Sequence, residues 1–376
     1  MQLAQGAVRA TALSAVVAVS SFAGAAEWPC FHGGPQHTGR TSQPVFTPLK
    51  LLWEAQVGPE VLSSPIISGG CISIGDYAGT LWCFGTRTGE LVWRTELGSR
   101  VGTPAAADGR LFVLARAQEG SSRQVLLALD AATGEELWRV PTGVRYDAPP
   151  VVANGTVFAA NVAVSADTGE EAWRLADLPG QVRGSPAVSG GTGYYCLDSG
   201  HLAAVDLANG SVKWTFEAAE MKAPGTPCVS EGAVYFGTMG LTGRFYSAGK
   251  LYAVDAETGA QLWEFDARAA VRSSPAVSHG RVYFGAEDGK MRSLDAKTGA
   301  EIWTAQLVCI GTAPAVSDSG TVVVCSDRLY VLAAPDGALA WSSEPAKATF
   351  ETSSPAVGEG VLVAVMRSGK VLVYGQ

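Results

Sequence analysis

A repeat governs this chain. A proline recurs as Pro65, Pro104, Pro149, Pro186, Pro227, Pro275, Pro314 and Pro355. A tryptophan follows each of the first seven, as Trp93, Trp138, Trp173, Trp214, Trp263, Trp303 and Trp341. A period of roughly 40 residues marks solenoids, propellers and arrays. The cleanest copy, residues 271–303, reads VRSSPAVSHGRVYFGAEDGKMRSLDAKTGAEIW. It holds four short apolar or alternating stretches, PAVS, RVYFGAE, KMRSLDA and AEIWTAQ, parted by the turn pairs His279-Gly280, Asp288-Gly289 and Thr298-Gly299. Val, Tyr, Phe and Ile suit a pleated, half-buried surface, and Gly and Asp supply the turns. Each repeat therefore predicts four antiparallel strands, one blade of a β-propeller.

The two ends of the chain carry complementary halves of one repeat. The copy that starts at Pro355 stops at Gln376 without its tryptophan, and an extra tryptophan, Trp53, stands before the first copy. A linear stack would need polar caps at both ends. Here the expectation is an all-β, eight-bladed propeller over residues 50–376, its ring closed by the N-terminal strand as the outermost strand of the last blade. Closure removes two exposed sheet edges.

Composition fits that reading. Of 376 residues, 47% are hydrophobic, 16% are charged and 45 are glycines, which suits many tight turns. The net charge of −8 and the absence of a dense Lys/Arg run argue against nucleic-acid binding and against non-specific adhesion to anionic membranes. Residues 1–26 read as an export signal: Arg9, an apolar stretch from Ala10 to Phe22, then Ala23, Gly24, Ala25 and Ala26. Residues 27–49 form a lead-in to the repeats. Cys30 follows Glu27-Trp28-Pro29, which is no lipoprotein signal. The expected product is exported, periplasmic or extracellular, without a transmembrane span and monomeric, with peripheral envelope association left open. Seven cysteines, Cys30, Cys71, Cys83, Cys196, Cys228, Cys309 and Cys325, leave at least one unpaired and form no Cys-x-x-Cys motif. Cys83 takes a slot filled elsewhere by Ala128, Ala204, Ala253 and Ser293, and Cys196 and Cys325 stand where other repeats have Gly237 and Gly285. A disulfide fits an oxidising compartment, but these spacings assign no pair.

The run Ala253-Val254-Asp255-Ala256-Glu257-Thr258-Gly259-Ala260-Gln261-Leu262-Trp263 resembles the Ala-x-Asp-x-x-Thr-Gly-x-x-x-Trp signature of the pyrroloquinoline-quinone (PQQ) enzyme repeat. The resemblance covers roughly residues 50–376, and it implies an eight-bladed propeller. It points to two functional groups. Quinoprotein dehydrogenases hold the quinone and a calcium ion at the centre of the ring. Non-catalytic relatives include a propeller lipoprotein of the outer-membrane β-barrel assembly machinery. This chain lacks the adjacent cysteines of many such dehydrogenases, and no copy of their Glu, Asn and Asp calcium set stands out. Asn154 and Asn209 precede glycines as turn residues. The resemblance therefore implies a non-catalytic scaffold, with no required cofactor. PQQ with calcium, as in a small oxidoreductase, is one alternative; a carbohydrate- or peptide-binding sensor domain is another.

Topology predicts where a site lies. Links between blades and the second turn within each blade share one face, around the mouth of the central channel. Those links carry Arg100, Arg145, Arg183, Lys222 and Arg272, with Glu60 and Glu351 as counter-charges. The cations read either as solvated loop charges or as an anion-attracting mouth for an acidic peptide or small anion. Two second turns are long: Ala115 to Gln124, and Thr238 to Gly249 with Arg244, Phe245 and Tyr246. Aromatics beside an arginine can anchor a partner chain, or they can fold into the channel. His32, His37, His201 and His279 show no ligand spacing, and Gly190-Gly191-Thr192-Gly193 precedes a strand, so neither a metal centre nor a phosphate loop is expected.

Overall fold

The computed structural model describes residues 27–116, 124–142, 148–218, 222, 225–242, 245–308, 311–344 and 353–375. The expected export signal, residues 1–26, lies outside them.

The strands form eight sheets of the propeller kind. Blade 1 is Ile66–Ser68, Cys71–Gly75, Thr80–Gly85 and Leu91–Glu96, and blades 2 to 7 repeat this order along the chain. Blade 8 takes Ala356–Gly358, Val361–Val365 and Lys370–Gly375 from the C-terminal end and Lys50–Gln56 from the N-terminal end. The pairing sets Trp53 opposite Val373, as each other closing tryptophan stands opposite a small or β-branched residue of the third strand. The inner strand of blade 8 touches that of blade 1.

Sequence explains the local geometry. Alternation on the outermost strands leaves one side exposed, while the middle strands read as apolar runs, since both their faces are covered by neighbouring blades. The Asp of Asp-x-x-Thr-Gly caps its own turn: Asp295 Oδ1 accepts from the Thr298 backbone and hydroxyl, both at 2.8 Å. The glycine of that turn lies flat on the tryptophan of the preceding blade. Gly299 has φ +72°, and a Cβ there would meet Trp263 Cδ2 at 2.7 Å. The indole Nε1 of Trp53, Trp93, Trp138, Trp173, Trp263 and Trp303 then donates to a backbone carbonyl of the next blade, as from Trp53 to Thr86 at 3.0 Å and from Trp303 to Ala334 at 2.8 Å. Trp214 Nε1, by contrast, is buried without a partner among the described residues. Blade 8 takes its third and fourth strands from distant parts of the sequence and has no such turn between them, and Trp341 of blade 7 packs instead against Tyr374, ring centres 5.7 Å apart.

The third repeat is shifted by one residue from its sequence reading. Its inner strand, Val151–Ala153, begins directly after Pro150, whereas every other inner strand begins directly after its marker proline. Pro150 is thus the structural marker, and Pro149 takes the place of Ser64 or Ser185. In a Pro-Pro pair only the start of the strand decides which proline is equivalent.

Candidate functional site: the central channel

Two features organise the channel, a belt of hydrogen bonds and a chain segment that fills one end. The belt uses the residue before each marker proline. Ser64 N–H donates to Thr103 Oγ1 at 2.8 Å, Ser185 to Thr226 at 3.2 Å and Thr226 to Ser274 at 3.2 Å. Ala313 donates to Ser354 at 2.9 Å, and Ser354 donates to Ser64 Oγ at 3.0 Å, across the seam of the ring. The pattern lapses where the next residue has no hydroxyl, as from Thr103 to Pro149 and from Ser274 to Ala313. It lapses also at Pro149, which has no N–H. Ser185 Oγ donates there to the Pro149 carbonyl at 2.6 Å.

The lead-in occupies the channel on the far side of this belt. Each inner strand turns a free edge toward the axis, and its backbone groups need partners. The lead-in supplies them in succession. Carbonyls of Trp28, Pro29, Pro35, Gln36, Thr38 and Gly39 accept from Ile67, Ala106, Val188, Val229, Val277 and Val316, at 2.7 to 3.0 Å. One short segment therefore ties together blades 1, 2, 4, 5, 6 and 7. Arg40–Thr41 completes the circuit as a parallel strand on Ala315–Ser317. Trp28 is 1% exposed.

His32 and His37 pin the segment from within. His32 Nε2 bonds the Pro314 carbonyl at 2.8 Å. His37 Nδ1 bonds the Phe31 carbonyl at 2.7 Å, and its Nε2 lies 3.0 Å from the Pro186 carbonyl. Burial lowers the pKa of His32 to about 4, against the opposing pull of its carbonyl bonds. Burial, reinforced by the neighbouring His32, lowers His37 to about 3. Both rings are neutral at pH 7. The sequence reading assigned the lead-in no structural role. The available signal is its four prolines, two histidines and paired glycines, which interrupt any regular element and leave carbonyls free to turn outward.

The opposite end is open. A cavity of about 320 Å³ is lined by Arg100, Arg183, Arg272, Tyr77 and belt residues such as Ser64 and Thr226, and Phe31 of the lead-in also lines it. The three arginines come from the links into blades 2, 4 and 6, so alternate blades present cations to one space. Arg100 lies over the Tyr77 ring, 4.5 Å from its centre, and Arg272 pairs with Glu287 at 2.6 Å. Glu60, expected as a counter-charge, pairs with Arg367 at 2.7 Å.

The other expected residues fare differently. Lys222 is exposed, exchanges backbone hydrogen bonds with Met239 at 2.9 Å and is not part of the cavity lining. Arg145, Arg244 and Glu351 lie outside the described residues. Phe245 and Tyr246 lie on the strand Phe245–Ala248, which pairs with Gly240–Thr242 as a hairpin within the expected long turn; their side chains lie outside the description. The other long turn is shorter than expected. Its flanks Ala115, Arg116 and Gln124 belong to strands Arg110–Arg116 and Gln124–Asp130, which continue the blade-2 pairing outward.

The described lining does not fit a calcium ion. Calcium takes six to eight oxygen ligands with carboxylates among them, and the described lining contains no Asp, Glu or Asn. Among the described residues no group of three His, Cys, Asp or Glu side chains could hold a metal ion. No described helix is long and apolar enough to cross a membrane.

Blade number, strand order and the Thr-Gly/Trp packing define a propeller of PQQ-type repeats. Within that class the chain belongs to the family described as outer membrane protein assembly factor BamB, which matches residues 49–124, 122–249, 240–309 and 292–375. The outer membrane protein assembly factor BamB of Burkholderia pseudomallei is 27% identical over 215 residues, 57% of this chain and 45% of that protein. The chain thus spans about half the length of that curated relative. The crystal structure of BamB from Moraxella catarrhalis superposes with a TM-score of 0.68 at 19% identity, covering 87% of this chain and 100% of that one. Quinohemoprotein alcohol dehydrogenase from Comamonas testosteroni reaches 0.74 at 14% identity, covering 93% and 81%. At such identities these two likenesses show the fold alone.

Proposed function

We propose that this protein is an exported, non-catalytic scaffold of the cell envelope that recruits a protein partner at the open mouth of its channel, through an acidic segment of that partner. The observation that carries the reading is the convergence of Arg100, Arg183 and Arg272 on one cavity whose far side is occupied by the chain itself. A concave wall concentrates the field of such cations and draws in anionic groups. The links and second turns around the mouth, with Lys222 and the hairpin of Phe245 and Tyr246 among them, supply the surrounding surface. The family supports an assembly role, and the donor set of the lining favours anion recognition over calcium-dependent oxidation.

The test combines partner capture with a measurement of affinity. Crosslinking in the native host followed by pull-down identifies the partner. Calorimetry with that partner's acidic segment at low salt then measures affinity. Charge reversal at both Arg183 and Arg272 should weaken binding by tenfold or more, which corresponds to about 1.4 kcal/mol. Unchanged affinity in the reversed variant sinks the proposal.

A further inference from the structure

Blade 1 departs from the repeat at several positions that cluster on one face. In blades 2 to 6 the small residue opposite the closing tryptophan also faces an aromatic ring on the second strand: Phe112 with Ala128, Phe158 with Ala163, Tyr194 with Ala204, Tyr235 with Ala253 and Tyr283 with Ser293. Each ring packs on its own blade's tryptophan, with centres 5.8 to 6.0 Å apart. In blade 1 the pair is Ser73 with Cys83: a serine stands in the place of the ring, and a thiol in the place of the small residue. Two residues earlier on the second strand, where blades 2, 3, 4 and 6 carry Arg110, Thr156, Thr192 and Arg281, stands Cys71. The residue facing Cys71 is Gly85, where those strands in blades 2, 4, 5 and 6 have Asp130, Asp206, Asp255 and Asp295.

Directly opposed residues, and residues two apart on a strand, share one face of a sheet. Cys71, Ser73 and Cys83 therefore point the same way, and no side chain stands opposite Cys71. Each of the two thiols shifts the titration of the other, and Ser73 acts on Cys83 as well. Cys30, Cys196, Cys228 and Cys325 are buried and free.

We propose that Cys71 and Cys83 are a redox modification site, closing reversibly to a disulfide by exchange with a disulfide-bearing oxidant. Cys71 is half-buried and within reach of such an oxidant, whereas Cys83 is fully buried. The neighbouring Cys83 thiol lowers the Cys71 pKa, and Cys71 together with burial raises that of Cys83. Cys71 is thus the thiolate that attacks first. Its sulfur bonds to one sulfur of the oxidant and expels the other as a thiolate, giving a mixed disulfide. Cys83 then gives up its proton and attacks the Cys71 sulfur, releasing the second oxidant thiolate. Two protein thiols are oxidised, one disulfide is reduced to two thiols, and the two protons pass to the leaving thiolates. A diagonal between two strands is about 7–8 Å, with the Cβ atoms somewhat closer, whereas a disulfide spans about 4.4–6.8 Å between Cα atoms, so the bond forms only as the two strands draw together. Closing it tightens the local twist, and a strained bond is readily reduced.

The full chain is equilibrated with oxidised glutathione, acid-quenched, unfolded, alkylated with N-ethylmaleimide and digested for mass spectrometry. The expected product is a peptide pair joined through Cys71 and Cys83, lost on adding dithiothreitol. Cys71→Ser should abolish the linkage. Cys83→Ala restores the residue that blades 2 to 5 carry, so its fold should hold, and Cys71 should then end as a stable mixed disulfide with glutathione. Full alkylation of both cysteines in oxidised, folded wild type overturns the proposal, as does Cys71 joined to any other cysteine.

Discussion

The two ends of the channel are built from the same repeat and finished in opposite ways. At the base, the lead-in satisfies the inner-strand edges and buries two neutral histidines. At the mouth, the links bring in arginines and leave a cavity. The difference teaches that the ring alone decides neither end. An inner edge is a row of donors that must be met, and what meets it sets whether that end serves stability or recognition. Variants should therefore separate the two ends: changes at the base should cost stability, and changes at the mouth should cost binding.

The largest effect should come from acid. An ordinary histidine has a pKa of 6.5, whereas His32 sits at about 4 and His37 at about 3. Because the folded values are depressed, the unfolded chain binds protons that the native state refuses. Stability is therefore fully present above pH 6.5 and falls as the pH drops toward 4. One pKa unit is about 1.4 kcal/mol, so the two rings together should remove on the order of 6 kcal/mol by pH 4. Urea titrations across this range should show the decline, and His37→Asn should roughly halve its slope between pH 6 and 4. Equal slopes would mean that the histidines are not closed off as described. Next in size is Trp28→Ala. A buried tryptophan truncated to alanine costs about 3 to 5 kcal/mol, and here it also loosens the first of the lead-in's backbone bonds. Its denaturation midpoint should fall accordingly, while acidic-peptide affinity at the mouth should stay within twofold.

Much of this architecture could be read from the chain. The proline and tryptophan markers gave the blade count, and Trp53 without a preceding repeat matches its place opposite Val373. Those residues repeat because each blade poses the same packing problem. The lead-in solves a problem posed only once, so no internal comparison exposed its role. The same logic explains Pro149: two adjacent prolines satisfy the pattern equally, and only the hydrogen-bond register separates them. At the mouth, three of the five expected cations met in one cavity because link position follows from topology. Lys222 departed because a local bridge to Met239 holds its backbone elsewhere.

The belt lies between the two ends and should show an intermediate effect. Ser354→Ala removes the acceptor for Ala313 N–H at the blade 7–8 junction. Leaving a buried donor unmet costs about 1 to 3 kcal/mol, and the adjoining cavity lets water recover part of that. A loss near 1 kcal/mol in urea unfolding is expected. Ser274→Ala removes only the acceptor for Thr226 and should behave alike. No loss in either would show that the belt is filled by water instead of closing the ring.

The smallest effect on stability should come from the mouth itself, and it sharpens the comparison most. Arg183 and Arg272 line the cavity, and Arg272 holds Glu287 in an ion pair that is partly exposed to solvent. Exposed pairs contribute about 0 to 1 kcal/mol, because water and salt screen them and the side chains lose freedom to form them. Changing Arg183 and Arg272 together to alanine should therefore shift unfolding by no more than about 0.5 kcal/mol, in the range of ordinary surface substitutions. The same double change removes two of the three described cations that face the cavity, so affinity for an acidic segment should fall and its dependence on salt should flatten. Stability and binding then respond to opposite ends of one channel. If the alanine pair instead unfolds the protein as Trp28→Ala does, the mouth is structural, and the division between a closed base and a recognising mouth does not hold.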